Sequence, residues 1–213
     1  MRIALPKCND AEVVPLSVAE VEALAAAVKD RYRALIIFGA GMGLRQGECL
    51  GLTVDRVDFL RRTVRVDRQL ITARAGVPQF GPPKSKAGFR TVPMPEVVSS
   101  TLAEHLARYR PGRFGLVFTN THCTPLTRST AGEMWRRARV RGGLPDWATF
   151  HDLRHFYASL LIGRGCSVKA VQRRLGHQSA METLDTYGHL WPDSEDETRN
   201  AVDQVLAGVT VAG

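Results

Sequence analysis

The last third of the chain reads FHDLRHFYASLLIGRGCSVKAVQRRLGHQSAMETLDTYGHLWP, and it holds His151, Arg154, His177 and Tyr187. These side-chain types can hold a phosphate, move protons and attack as a nucleophile. His151 and Arg154 are three positions apart, so on a helix they share one face and can meet the same ligand. A helix start also offers free N–H groups and partial positive charge to an anion. Leu153, Phe156 and Leu160 are predicted to point elsewhere, into the core. Gly176 is a normal helix stop, and His177 sits just past it. Tyr187 lies in polar company beside a glycine, which predicts an exposed hydroxyl.

Two upstream segments add to this set. Arg45 in GLRQGECLGL follows a Gly-x-Gly turn and precedes a short helix. A guanidinium fork matches phosphate oxygens and stays charged at any working pH. Glu48, three residues on, is placed to pair with Arg45 and hold the fork rigid. In PPKSKAGFRTVPMP, Lys86 is followed by an Ala-Gly turn and then a strand. A lysine on a hairpin tip can reach into a groove and give a proton to a leaving oxygen. Taken singly, each residue has an ordinary reading: a surface salt bridge, a helix start, a helix stop, a buried tyrosine, a solvated lysine. Together they point to chemistry on a phosphodiester.

The elements that must position these groups are legible in the pattern. Ser17 opens a capping box with Glu20, and Val18, Val21, Leu24 and Val28 form an apolar stripe. Tyr32 to Gly41 reads as a buried helix and Gln46 to Leu52 as a short one. Between Val57 and Met94 alternating β-branched residues predict a small antiparallel sheet of two or three strands. Helices are predicted over Pro95 to Tyr109, Thr127 to Arg139, His151 to Gly163, Ser167 to Leu175 and Ala180 to Tyr187. Leu116 to Thr119 reads as a brief extended piece. A capping box of Ser194 with Glu197 predicts a last helix to about Leu206. The class is α+β, mainly helical with a small antiparallel sheet. Residues 1–15 read as a leader or interdomain linker, 16–193 as one domain, and 194–213 as a C-terminal helix and tail.

Composition narrows the partner. The chain has 213 residues, 44% of them hydrophobic, and a formal charge of +8. That excess suits a polyanion such as DNA. No apolar run approaches the roughly 18 residues that span a bilayer, and the start, MRIALPKCND, lacks the apolar core of a signal peptide. Cys8, Cys49, Cys123 and Cys166 form no C-x-x-C pair and read as reduced thiols in a cytoplasm, not as a zinc site or a disulfide framework. No Asp/Glu cluster looks fit for Mg²⁺, so a metal-free mechanism is consistent with the sequence. Arg136, Arg137, Arg139 and Arg141 form a basic helix end that is a candidate DNA-facing surface, as are Lys84 and Arg90.

In order, GLRQGECLGL, SKAGFRTVPMP, HDLRH, LGH and DTYGH resemble the catalytic domain of the tyrosine recombinases, the phage-type integrases. The resemblance runs from about Pro15 to Trp191. It implies that Arg45 and Arg154 clamp the scissile phosphate and that His177 hydrogen-bonds it. His151 would assist proton transfer at the tyrosine, Lys86 would be the general acid for the leaving 5′-hydroxyl, and Tyr187 would be the nucleophile. Lys84 is a rival for the lysine role. Glu48 matches an acidic residue usual in the family. Attack would leave a 3′-phosphotyrosyl enzyme that a second 5′-hydroxyl reseals, which implies neither ATP nor another cofactor.

The partner implied is a double-stranded DNA attachment site, the chain being a monomer alone and, if full-length, a tetramer on synapsed DNA. The source would be bacterial or phage-encoded, the location cytoplasmic and nucleoid-associated, with no membrane. Members usually carry an N-terminal helical domain that closes a clamp on DNA, so this sequence is expected to be either an excised catalytic domain or a naturally short protein, with weak, salt-sensitive DNA binding. Two other readings stay open: a DNA-binding fragment without unaided recombination activity, and a type IB topoisomerase-like enzyme.

Overall fold

The computed structural model describes residues 12–191 and 195–207. Cys8, most of the 1–15 segment and the Ser194 cap lie outside the described residues. The chain opens on α1 (Val18–Ala27) and α2 (Asp30–Met42), followed by the short α3 (Gln46–Leu50). The Ser17–Glu20 capping box forms as expected, with the Ser17 N–H donating to Glu20 at 2.7 Å and the Glu20 N–H to Ser17 Oγ at 3.2 Å. Val21 and Leu24 of the expected stripe are buried, while Val18 is exposed.

The strand region is richer than its pattern suggests. It makes β1 (Val57–Asp58), β2 (Thr63–Val66), β3 (Gln69–Arg74), β4 (Val77–Gly81) and β5 (Arg90–Pro93). These divide into an antiparallel sheet of order β1-β2-β5 and a separate β3-β4 hairpin. Val64 pairs with Val92 across the first sheet, and both are fully buried. The second half is helical: α4 (Glu96–Arg108), α5 (Arg128–Arg141), α6 (Asp152–Gly163), α7 (Val168–Leu175), α8 (Ala180–Tyr187) and α9 (Glu195–Leu206).

Two apolar clusters hold these elements. The larger joins α1, α2, α4, α5 and the start of α6 to the strands, with Leu24, Leu35, Leu50, Val64, Val92, Leu102 and Leu153 at its centre. The smaller lies between α6, α7 and α8 and contains Tyr157, Ala158, Ile162, Val171, Leu175 and Tyr187. The core face of α6 thus runs through Leu153, Phe156 and Ile162. Leu160, expected inside, is 42% exposed, because it lies on the face that packs on neither cluster.

Candidate active site

Helix α6 is the central support. Arg154 sits in its first turn and is 2% exposed. Its Nη1 donates to the Gly43 carbonyl at 2.8 Å and its Nη2 to the Leu175 carbonyl at 2.7 Å. These are the carbonyls at the ends of α2 and α7, so one guanidinium ties three helices together. Gly43 can end α2 only in the left-handed region, at φ +62°, and a β-carbon there would lie 2.2 Å from the Tyr157 ring. Glycine at this position therefore sets the chain reversal that delivers Arg45.

Arg45 is the N-cap of α3 and remains partly exposed. Its backbone N–H donates to Glu48 Oε2 at 3.0 Å, and its Nη1 lies 3.4 Å from Glu48 Oε1. The expected Arg45–Glu48 pair is therefore present. Glu48, however, is engaged more closely by Arg90. Arg90 donates Nη2 to Oε2 at 2.9 Å and Nη1 to Oε1 at 3.2 Å, and its Nε bonds the Arg174 carbonyl at 2.8 Å. Its side chain is only 6% exposed. Arg90, read above as a DNA contact, is corrected to a buried strut, because its guanidinium is paired with the Glu48 carboxylate, whereas Arg154 bonds only neutral carbonyls. Burial alone would raise the pKa of Glu48, but the hydrogen bond and charge of Arg90, with the Arg45 N–H and the Arg154 charge, bring it below the ordinary value.

The result is a cluster of three guanidiniums, Arg45, Arg90 and Arg154, around one carboxylate. Burial, and then the repulsion of Arg45 and Arg90, push Arg154 down to about 9. Uncompensated buried positive charge is costly unless an anion arrives.

Gly176 ends α7 in the left-handed region at φ +70°, and a β-carbon there would lie 2.9 Å from the Ala87 carbonyl and 3.0 Å from Arg90 Nη1. This close approach seats the Lys86–Gly88 turn beside His177. Ala87, Arg90, Gly176 and His177 line an open cleft of about 410 Å³. The hairpin-tip reading of Lys86 is corrected. The hairpin turns at Ala75-Gly76, whereas Lys86 opens a single 3₁₀ turn linking β4 to β5. Lys86 and Lys84 are both exposed.

His177 is 7% exposed, with Nδ1 at 2.9 Å from Thr183 Oγ1. Burial, then Arg154, hold its pKa down to about 4, so it is neutral at pH 7. Its ring lies nearly parallel to Tyr187, with centroids 6.3 Å apart. Thr183 was not anticipated. It is buried on the same face of α8 as Tyr187, at the i, i+4 spacing that was the available signal.

Tyr187 ends α8 and is 1% exposed. The expectation of an exposed hydroxyl is corrected: its ring fills the smaller apolar cluster, and polar sequence neighbours do not place a residue on the surface. Burial raises its pKa to about 12, against the opposing pull of Arg154. That shift adds about 3 kcal/mol to the cost of forming phenolate.

His151 precedes α6 and is exposed. Partial burial and the positive neighbourhood of His155, Arg154 and Arg45 move its pKa down. It does not bond the tyrosine. The nitrogen at Tyr187 Oη is Nδ1 of His155, at 2.8 Å. His155 went unassigned although it is the last letter of HDLRH, four residues after His151 and so one turn along the same helix face. The rings of His151 and His155 meet edge-on at 4.9 Å.

The basic end of α5 is largely self-satisfied. Arg136 and Arg137 pair with Glu133, Arg139 with Asp146, and Arg141 donates to the Ala27 carbonyl. Among the described residues, no group of three or more His, Cys, Asp or Glu could hold a metal ion, and no helix is long and apolar enough to cross a membrane.

Known proteins are similar to this chain in sequence and in fold. Relatives include a XerC-like tyrosine recombinase of Caldanaerobacter subterraneus, 31% identical over 91% of this chain and 54% of its own length. The prophage phiRv2 integrase of Mycobacterium tuberculosis is 31% identical over 81% of this chain and 46% of its own. The chain thus spans about half the length of these relatives. Among solved structures, the Tn1549 transposon integrase in complex with transposon right end DNA superposes with a TM-score of 0.77 at 25% identity, covering 94% of this chain and 68% of that one. The catalytic domain of bacteriophage HP1 integrase shares the fold, with a TM-score of 0.59 at 19% identity over 89% of this chain and 95% of that one. The profile of the phage integrase family matches residues 15–193. By that match and by its fold, the chain belongs to the phage integrase family of tyrosine recombinases.

Proposed function

We propose that the chain is the catalytic unit of a site-specific DNA recombinase, cleaving and rejoining DNA through a 3′-phosphotyrosyl intermediate. The observation that carries this reading is the excess of positive charge, two buried guanidiniums and the partly exposed Arg45 against one carboxylate, beside a tyrosine. Arg45 and Arg154 hold the non-bridging oxygens and stabilise the charge that grows on them in the transition state. His177 hydrogen-bonds the phosphate, and Tyr187 attacks phosphorus. Lys86, with Lys84 as its rival, protonates the departing 5′-oxygen, and His151 assists proton transfer. Glu48 keeps Arg45 and Arg90 in place. The phosphotyrosyl ester keeps the bond energy, so a second 5′-hydroxyl reseals the strand without a cofactor.

In this reading residues 16–193 are the catalytic domain, 1–15 the linker and 194–213 the C-terminal helix and tail. The partner is a double-stranded attachment site, as supported by the relatives' names and by the complex of the Tn1549 integrase with transposon end DNA. The unit is a monomer alone, and the full-length protein is a tetramer on synapsed DNA, in a bacterial cytoplasm or on its nucleoid. Arg136, Arg137, Arg139 and Arg141 contribute phosphate contacts outside the site. Such contacts set affinity and not sequence, so binding weakens steeply with salt.

The decisive experiment incubates the protein with nicked suicide duplexes and resolves covalent adducts on a denaturing gel. An adduct with wild type that disappears in Tyr187→Phe is expected. Binding without any adduct favours a second reading, a DNA-binding module. The full burial of the Tyr187 ring supports that reading. Relaxation of supercoiled DNA with no site requirement would indicate a type IB topoisomerase-like activity.

A further inference from the structure

We propose that His155 is the group that takes the phenolic proton of Tyr187, a step that rests on the recombinase reading only for its role in catalysis. His155 Nδ1 lies 2.8 Å from Tyr187 Oη, with ring centroids 5.6 Å apart. Tyr187 is 1% exposed. Among the described residues, Oη has no second hydrogen-bond partner. A buried O–H that has one partner donates to it, because an unpaired donor loses its hydration with nothing in return. The proton therefore points at Nδ1, and the neutral ring carries its own hydrogen on Nε2.

The other two histidines are placed differently. His177 stacks on the Tyr187 ring, but its Nδ1 is engaged by Thr183 at 2.9 Å and its Nε2 lies 3.8 Å from Glu182. His151 touches His155 edge-on and makes no bond to Oη. The groups that bear on the His155 ring are Asp152, Arg154 and His151 from the α6 segment and Tyr187 from α8. Burial, with Arg154 opposed by Asp152, keeps the ring neutral and able to accept.

The step balances. The Oη–P bond forms as the Oη–H bond breaks, and the proton passes to Nδ1, making an imidazolium. The P–O5′ bond breaks, and the 5′-oxygen takes its proton from the lysine. Resealing runs the transfers backwards, with His155 returning the proton to Oη. Asp152 and the bound phosphate offset the new positive charge beside Arg154.

Two measurements test this. In the first, long-range ¹H–¹⁵N imidazole spectra of the free protein at neutral pH are compared for wild type, His155→Asn and Tyr187→Phe. The expected result is an unprotonated His155 Nδ1 whose shift moves in Tyr187→Phe. A protonated Nδ1, or one indifferent to Tyr187→Phe, overturns the proposal. This arm needs no DNA, so it stands apart from the recombinase reading.

The second measures single-turnover adduct formation on nicked duplex. Asparagine places an amide near the Nδ1 position and can hold Oη but cannot take its proton. His155→Asn should therefore form adduct about 10²-fold more slowly, with a rate that climbs with pH and with unchanged DNA affinity and Tm. His155→Ala should regain rate with added imidazole. An asparagine variant that cleaves at the wild-type rate and pH profile shows a structural role and refutes the assignment. Absence of a wild-type adduct, together with an unprotonated Nδ1 that moves in Tyr187→Phe, would sink the recombinase reading and leave the proton assignment standing.

Discussion

Glu48 is the most exacting point in the electrostatics of the site. It is 3% exposed and is the carboxylate that Arg45 and Arg90 share. Glu48→Gln keeps the volume and one acceptor oxygen but removes the charge. Breaking a buried ion pair from one side costs about 3–5 kcal/mol, because the surviving charge stays buried. The retained acceptor places this variant at the low end, about 3 kcal/mol. For a domain of this size that corresponds to a fall in Tm of roughly 6–12 °C. Thermal melts followed by circular dichroism measure it directly.

The mechanism makes two finer demands on the same melts. The folded-state pKa of Glu48 lies below its ordinary value, so its contribution is complete at neutral pH and is lost as pH falls through that depressed value. The gap between wild type and Glu48→Gln must therefore close in acid. Sulfate can take the place of the missing charge among Arg45, Arg90 and Arg154, so it should stabilise the variant more than the wild type. A Glu48→Gln protein that melts within about 2 °C of wild type at neutral pH, with no extra response to sulfate, would refute the account of the cluster.

Three further outcomes follow from individual contacts. Gly43→Ala forces a side chain into the left-handed region and against the Tyr157 ring. It should destabilise the fold by about 2–5 kcal/mol in chemical denaturation. Lys86→Met should slow adduct formation about 10²-fold on ordinary DNA. It should approach the wild-type rate on a 5′-phosphorothiolate, whose sulfur leaves without a proton, and a defect of equal size on both substrates would remove Lys86 from the acid role. His177 has its folded pKa lowered to about 4, so the unfolded chain binds its proton first as pH falls. Stability should therefore decline between about pH 6.5 and pH 4, and His177→Asn should flatten that part of the profile.

Local pattern was informative wherever the deciding physics is local. Capping at Ser17, the glycine stops at Gly43 and Gly176, and the i, i+3 placement of His151 and Arg154 all depend on backbone geometry within a turn or two. The helix bounds were legible for that reason. The division of the strands into two sheets was not, because β2 passes over the neighbouring hairpin to pair with β5. Alternation marks a strand but does not name its partner.

By itself, then, the sequence determined which groups are available for phosphodiester chemistry and the order in which the chain offers them. Arg45, Arg154, His177 and Tyr187 could be named from their types and from the order of the motifs that resemble the tyrosine recombinases. Tertiary structure decided what each group faces. It buried Arg90 against Glu48, forty-two residues away in the chain, and turned an apparent DNA contact into a strut. It sank Tyr187 into an apolar cluster and set His155, not His151, against its oxygen. The Tyr187 contact comes from the packing of α6 with α7 and α8 and the Arg90 contact from the approach of β5 to α3, and no local propensity encodes the distance between side chains on different elements.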